Sequence, residues 1–149
     1  MCGRCVKGRG NGGYSGYGTN RMRDILLDSD VLIEILRGNE EVMDEVISLG
    51  KSGRDVLYTP ISKAEIYHGI REGETGGAEA LFSGCRSVPI TDEIGEKAGH
   101  YLRQFHKSHG MDIADALIAA AARVNNAELF TFNHKHFPMK DVRLHKSAK

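Results

Sequence analysis

Four polar residues of this 149-residue chain stand where chemistry can be done: Asp28, Glu65, Asp115 and Asn133. Asp28 closes the apolar run Ile25-Leu26-Leu27, and a second apolar run, Val31-Leu32-Ile33, begins three residues later. In an open α/β sheet, ligands bind in the crevice beyond the carboxyl ends of the strands. A carboxylate there is a natural partner for a hard divalent cation, although aspartate is an equally good helix cap. Glu65 lies just inside a helix that follows a later apolar run, Val56-Leu57-Tyr58. Asp112 and Asp115 are three apart, on neighbouring sides of one helix, and the alanine-rich run Ala116 to Ala122 follows them. Asp112 fits an N-cap better than a ligand. Asn133 ends Thr131-Phe132-Asn133 and offers a carbonyl oxygen to a metal or its water; the basic segment His134-Lys135-His136 after it is suited to phosphate. A like-charge cluster of Asp28, Glu65 and Asp115 is unfavourable until a cation such as Mg²⁺ or Mn²⁺ neutralises it. Ser29 and Thr131 are then candidates to support that shell through hydrogen bonds.

The elements that must position these residues alternate. Ile25–Asp28 reads as a strand, and Ser29 or Asp30 caps a helix carrying Val31, Leu32, Ile35 and Leu36. Residues 40–49 form a second helix and Val56-Leu57-Tyr58 a second strand. Pro60 opens a helix through Ile70 at a favourable first-turn position, which places Glu65 on it. Residues 78–82 read as helical. Val88-Pro89-Ile90 reads as an edge strand, since proline lacks the ladder donor. Thr91 caps a helix over 92–107, and Gly110 separates it from a helix over 112–124 whose apolar face is Ile113, Leu117, Ala120 and Val124. Glu128–Thr131 and Val142–Leu144 are a fourth and a fifth strand. The expectation is a single three-layer α/β domain, a mainly parallel five-stranded sheet flanked by helices.

Length allows one domain with a sizeable core. The formal charge is +0, but residues 1–23 carry five basic residues and no acid, leaving 15 basic against 20 acidic in 24–149. A neutral total lacks the basic patch usual in nucleic-acid binders, unless a local patch offsets an acidic pocket. Residues 1–22, rich in glycine and arginine, read as a flexible tail, an extension without a role rather than an RNA-attracting arm. Three cysteines are too few for a disulfide framework, and Cys2-Gly-Arg-Cys5 has no second pair for zinc. His106, His109, His134 and His136 invite a zinc reading, but their spacing makes no closed set. No apolar run approaches the roughly 20 residues of a membrane span, and no signal core opens the chain; a cytoplasmic protein is expected.

Residues 24–145 resemble the VapC toxins of bacterial and archaeal toxin–antitoxin pairs, which are PIN-domain ribonucleases. The carrying stretches are Leu27-Asp28-Ser29-Asp30-Val31-Leu32-Ile33, Ala64-Glu65-Ile66, Ala114-Asp115-Ala116-Leu117-Ile118-Ala119-Ala120 and Thr131-Phe132-Asn133-His134-Lys135-His136-Phe137. The resemblance implies a PIN-like nuclease domain over 23–149 that hydrolyses RNA phosphodiester bonds with Mg²⁺ or Mn²⁺. It implies Asp28, Glu65 and Asp115 as the metal-binding acids and Asn133 at the fourth catalytic position. Many relatives carry aspartate there; asparagine keeps a metal or water contact but removes one charge. It also implies a homodimer and a cognate antitoxin whose tail occupies the acidic groove. Two other readings compete. One is a PIN-like scaffold that only binds a protein partner or RNA. The other is a haloacid-dehalogenase-like phosphatase, which Asp28-Ser29-Asp30-Val31 also resembles, with Asp28 attacking phosphorus and Asp30 as acid/base. That reading leaves Glu65 without a task.

Overall fold

The computed structural model describes residues 22–147. Residues 1–21, with nearly all of the expected tail and Cys2 and Cys5, lie outside the described residues. Four short strands form one sheet: β1 (Ile25–Leu27), β2 (Val56–Tyr58), β3 (Arg86–Ser87) and β4 (Glu128–Phe130). Their order is β3-β2-β1-β4, and every pairing is parallel. Ile25 pairs with Val56 on one side and Glu128 on the other, which puts β1 at the centre. Side chains alternate across a strand, so Ile25 and Leu27 pack with one core cluster and Leu26 with the other.

The helices are α1 (Ser29–Leu36), α2 (Glu40–Lys51), α3 (Pro60–Gly69), α4 (Thr75–Ser83), α5 (Asp92–His109) and α6 (Ile113–Val124). Val31, Leu32 and Ile35 of α1, Val42 and Val46 of α2, and Ala78 and Phe82 of α4 cover one face. Ile94, Ala98 and Tyr101 of α5 and the alanines of α6 cover the other. All the starts but that of α4 are written locally by a capping side chain. Asn39 accepts from Val42 N at 3.2 Å, Thr59 from Ser62 N at 3.2 Å and Thr91 from Ile94 N at 3.3 Å, the side-chain capping that orphan helix donors require. Gly110 stops α5 at φ 65°, a left-handed conformation that glycine adopts without a Cβ clash.

Three expectations are corrected. The sheet has four strands rather than five, because 142–144 meets β4 only at a bridge, Leu129 to Leu144, with bonds from Leu129 N to Arg143 O and from His145 N to Leu129 O. The third strand is Arg86–Ser87 rather than 88–90. Val88 N still donates to Tyr58 O at 2.8 Å, but Pro89 has no donor to extend the ladder. The apolar face of α6 is also wider and differently placed. Ala116 and Ile118 through Ala122 are buried, whereas Ile113 is 66% exposed. The helix is packed from several sides, and its alanines let α5 and the sheet approach closely.

Candidate active site

The carboxyl ends of β1 and β4 lie side by side, and the polypeptide brings acids to them from three helices. Asp28 follows β1 directly and is buried. Its Oδ1 caps α1 through Ser29 N at 2.7 Å, so the cap function is real. Its Oδ2 accepts from the Thr131 hydroxyl, just past β4, at 2.8 Å. Asp30, in the first turn of α1, turns back toward the same strand. Its Oδ2 accepts from Phe132 N at 3.0 Å, while its Oδ1 is buried without a hydrogen-bond partner.

Asp115 sits in the first turn of α6, in a capping box with Asp112. Asp115 N donates to Asp112 Oδ1 at 2.8 Å and Asp112 N to Asp115 Oδ2 at 3.5 Å. Asp112 is thus the N-cap, as its position suggested. Asp115 Oδ2 also lies 3.0 Å from His136 Nδ1. Glu65 reaches the notch from α3, where the Ser29 hydroxyl donates to its Oε1; Ser29 Oγ also lies 2.9 Å from the buried Ser62 Oγ. Asn133 is held by its backbone, whose N–H donates to Thr131 Oγ1 at 3.0 Å. Its side-chain amide lies 2.9 Å from His136 Nδ1. If that nitrogen donates its proton to Asp115, Asn133 must present its carbonyl to the ring, since the amide group has a donor end and an acceptor end.

The electrostatics follow from this crowding. Burial, then the charge of Asp30 and more weakly that of Asp115, pushes the Asp28 carboxyl up to about 7, against the pull of Thr131 and Ser29 N. Asp30 is raised by burial. Asp115 is raised by burial and by Asp112, with His136 opposing. Among the described residues, none of these three acids makes an ion pair with lysine or arginine. No three acidic, histidine or cysteine side chains among the described residues stand close enough to hold one ion as they are placed. The donors nonetheless fit a hard cation: all are carboxylate oxygens, and the buried, unpartnered Asp30 Oδ1 is an atom that such an ion would satisfy.

The family model for the PIN domain matches residues 25–142. The chain belongs to the PIN domain family. This chain is 39% identical over 116 residues to Ribonuclease VapC10 of Mycobacterium tuberculosis, covering 77% of this chain and 86% of that protein. It is 34% identical over 115 residues to Ribonuclease VapC19 of the same organism, covering 76% and 92%. Among solved structures, FitAcB from Neisseria gonorrhoeae aligns over 82% of this chain and 96% of its own, with 27% identity and TM-score 0.61. DNA-bound VapBC from Salmonella typhimurium aligns over 83% and 98% with TM-score 0.70 at 19% identity, a likeness of fold.

In this PIN chain hydrogen bonds link Asp28 through Thr131 to Asn133 and on through His136 to Asp115, which Asp112 caps, while Ser29 beside Asp28 holds Glu65. Two neighbours were not singled out from sequence for this role. From the sequence Asp30 reads as a helix cap or a phosphatase acid, yet its two-residue spacing from Asp28 across a strand–helix junction is a readable signal. His136 reads as part of a basic loop or a loose zinc candidate, and nothing local in the sequence ties it to Asp115. Family membership leaves the phosphatase likeness of Asp28-Ser29-Asp30-Val31 without support.

Proposed function

We propose that this PIN protein is a VapC-type endoribonuclease, the toxin of a toxin–antitoxin pair, with residues 23–149 as the nuclease domain and 1–22 as an extension. One observation carries the reading: buried or half-buried acids, Asp28, Asp30 and Asp115, meet beyond the strand ends without a balancing lysine or arginine. Asp28, Glu65 and Asp115 are the residues that would hold Mg²⁺ or Mn²⁺, with Asp30 beside them. When bound, such an ion lowers the pKa of its water and offsets the charge that builds on a phosphoryl group. The chain supplies the rest. Thr131 fixes Asp28, His136 and Asn133 fix the Asp115 side of the notch, and Ser29 aims Glu65. No side-chain nucleophile is required, because water is the attacking group in hydrolysis.

The relatives named as ribonucleases support RNA as substrate, and the VapBC and FitAcB complexes support a protein partner. We infer a cognate antitoxin that lies in the acidic groove and a homodimeric toxin. No helix of the described residues is long and apolar enough to cross a membrane. The exposed placement of Glu65 and the asparagine at position 133 favour one other reading, a PIN scaffold that binds RNA or protein without cutting. The test is incubation of purified protein with an RNA pool and Mg²⁺ or Mn²⁺, with mapping of the ends. Cleavage that stops with chelator and with Asp28→Asn is expected. Cleavage that survives both overturns the assignment, and binding without cleavage at any metal concentration supports the scaffold.

A further inference from the structure

The near-zero net charge posed a problem for a nucleic-acid enzyme, and the amino end of the sheet answers it. Arg23 lies just before β1, Asn126 and Ala127 just before β4, and Arg123 at the last turn of α6. Together with Lys140, Asp141 and Arg143 they line a polar cleft of about 400 Å³. Four cations therefore face one acid. That acid is already engaged: Asp141 lies 2.9 Å from Lys97 Nζ and accepts from the Tyr101 hydroxyl at 2.9 Å, with Arg123 Nε at 3.5 Å. Arg23 donates to the Asn126 side chain, a neutral partner. Lys140 and Arg143 are exposed and make no ion pair among the described residues. The backbone beneath them is fixed, since Arg143 O accepts from Leu129 N at 2.9 Å.

We propose that this cleft is a second RNA-binding site, an anchor for backbone phosphates of substrate lying away from the cleavage notch. Three guanidiniums and an ammonium in a polar cleft match phosphate chemistry, because arginine presents a planar fork of donors to phosphate oxygens. Helix α6 joins the two places. Asp115 stands in its first turn and Arg123 in its last, eight residues or about 12 Å apart along the axis. A substrate must therefore extend several nucleotides past the cut to engage the cleft. The acidic notch repels phosphate until a cation is bound, whereas the cleft attracts it at all times, so it retains the strand near an otherwise unwelcoming centre. This rests on the ribonuclease reading for its substrate, but the cleft itself does not depend on metal.

The experiment compares wild type with Lys140→Ala/Arg143→Ala and with Lys140→Glu/Arg143→Glu. Two substrates are used: the shortest oligoribonucleotide that wild type cleaves, and the same sequence extended by ten nucleotides on each side. The expected result is unchanged cleavage of the short substrate and about a tenfold higher KM with unchanged kcat on the long one, larger for the glutamates. The logarithmic salt slope for long-substrate binding should fall by about 1.4, two contacts at roughly 0.7 each for single strands. Equal KM on the long substrate for all three proteins overturns the proposal, as does an equal loss on both substrates. So does binding of duplex DNA or a protein that depends on these residues when RNA binding does not. If wild type cuts no RNA but its binding of the long strand depends on Lys140 and Arg143, the cleft stands and the nuclease reading falls.

Discussion

The two ends of this sheet both gather charge, and they treat it in opposite ways. At the amino end, Arg54, side chain 3% exposed, meets Glu128 at 2.8 Å, and its Nε donates to Arg23 O at 2.5 Å. Arg86 lies 3.3 Å from Asp55 and 3.5 Å from Asp24, and His145 lies 2.9 Å from Glu45. Acids that precede strands are matched there by cations. At the carboxyl end, Asp28, Asp30 and Asp115 have, among the described residues, only His136 beside them. A buried acid without a cation costs stability, so its persistence marks the end kept for a ligand. Matched charges, by contrast, position strands. The acid count of the two ends is similar; pairing is what separates them.

The largest effect expected is on catalysis at the unmatched end. Asp28→Asn should lower metal-dependent RNA cleavage by about 10³-fold or more, since metal-linked charge stabilisation is worth several kcal/mol. The same substitution should stabilise the fold. In the folded chain Asp28 keeps its proton up to about 7, against 3.8 when free. Between those pH values the folded state holds more protons than the unfolded one, so stability falls as pH rises, by up to about 4 kcal/mol. Asparagine keeps the cap on Ser29 N and removes this slope. Thermal melts of both proteins from pH 4 to 8 check it: the variant should melt higher at pH 8, with the curves converging toward pH 4. A variant that melts lower at pH 8 would mean that the acid is matched after all.

Next comes the matched end. Arg54→Ala leaves Glu128 without its closest cation and opens a hole where a guanidinium was buried. Removing one partner of a buried pair costs about 3 kcal/mol or slightly more. Denaturant midpoints should drop accordingly, while cleavage per folded molecule is retained. Loss of activity without loss of stability would erase the distinction between the ends.

How much of this distinction was legible follows from what each signal depends on. Asp28, Asp115 and Thr131 flank strongly apolar segments, so the ends of β1 and β4 and the start of α6 could be located from local pattern alone. The caps Thr91 and Asp112 are likewise one-residue signals. Convergence is not local. Asp30 and Thr131 are far apart in sequence yet 3.4 Å apart in space, and no spacing rule connects them. His136 looked solvated because its partner Asp115 is reached only through the fold. The basic cleft combines a residue before the first strand, the end of α6 with the turn after it, and Lys140 and Arg143 from beyond β4, so total charge concealed it. The failed fifth strand, 142–144, has a β-like composition but meets β4 at one bridge alone, Leu129 to Leu144.

A metal titration gives the third effect. Mn²⁺ should raise the melting temperature of wild type, with a stabilisation of about 2.7 kcal/mol at a hundredfold excess over Kd. Asp28→Asn should remove most of it. The shift should also weaken as pH falls below about 7, because a protonated Asp28 is no ligand. Arg54→Ala should show the full Mn²⁺ shift from its lower baseline. Equal shifts in wild type and Asp28→Asn would place the ion elsewhere.

The smallest effect expected isolates how the unmatched end is held together. Thr131 donates to Asp28 Oδ2 at 2.8 Å and accepts from Asn133 N at 3.0 Å, so one hydroxyl ties the first acid to the loop that carries Asn133 and His136. Thr131→Val preserves shape and removes both bonds. Asp28 then loses a hydrogen bond that favours its charged form, and its pKa rises further. Cleavage should fall about tenfold, the scale of losing a group that orients a metal-binding carboxylate, and the acid limb of the pH–rate profile should move up. Thr131→Ser keeps the hydroxyl and should restore both rate and profile. A uniform rate loss in Thr131→Val with an unmoved acid limb would show that the hydroxyl shapes the loop alone. The repulsion among Asp28, Asp30 and Asp115 would then be left to a bound cation to relieve, with no help from the strand that follows β4.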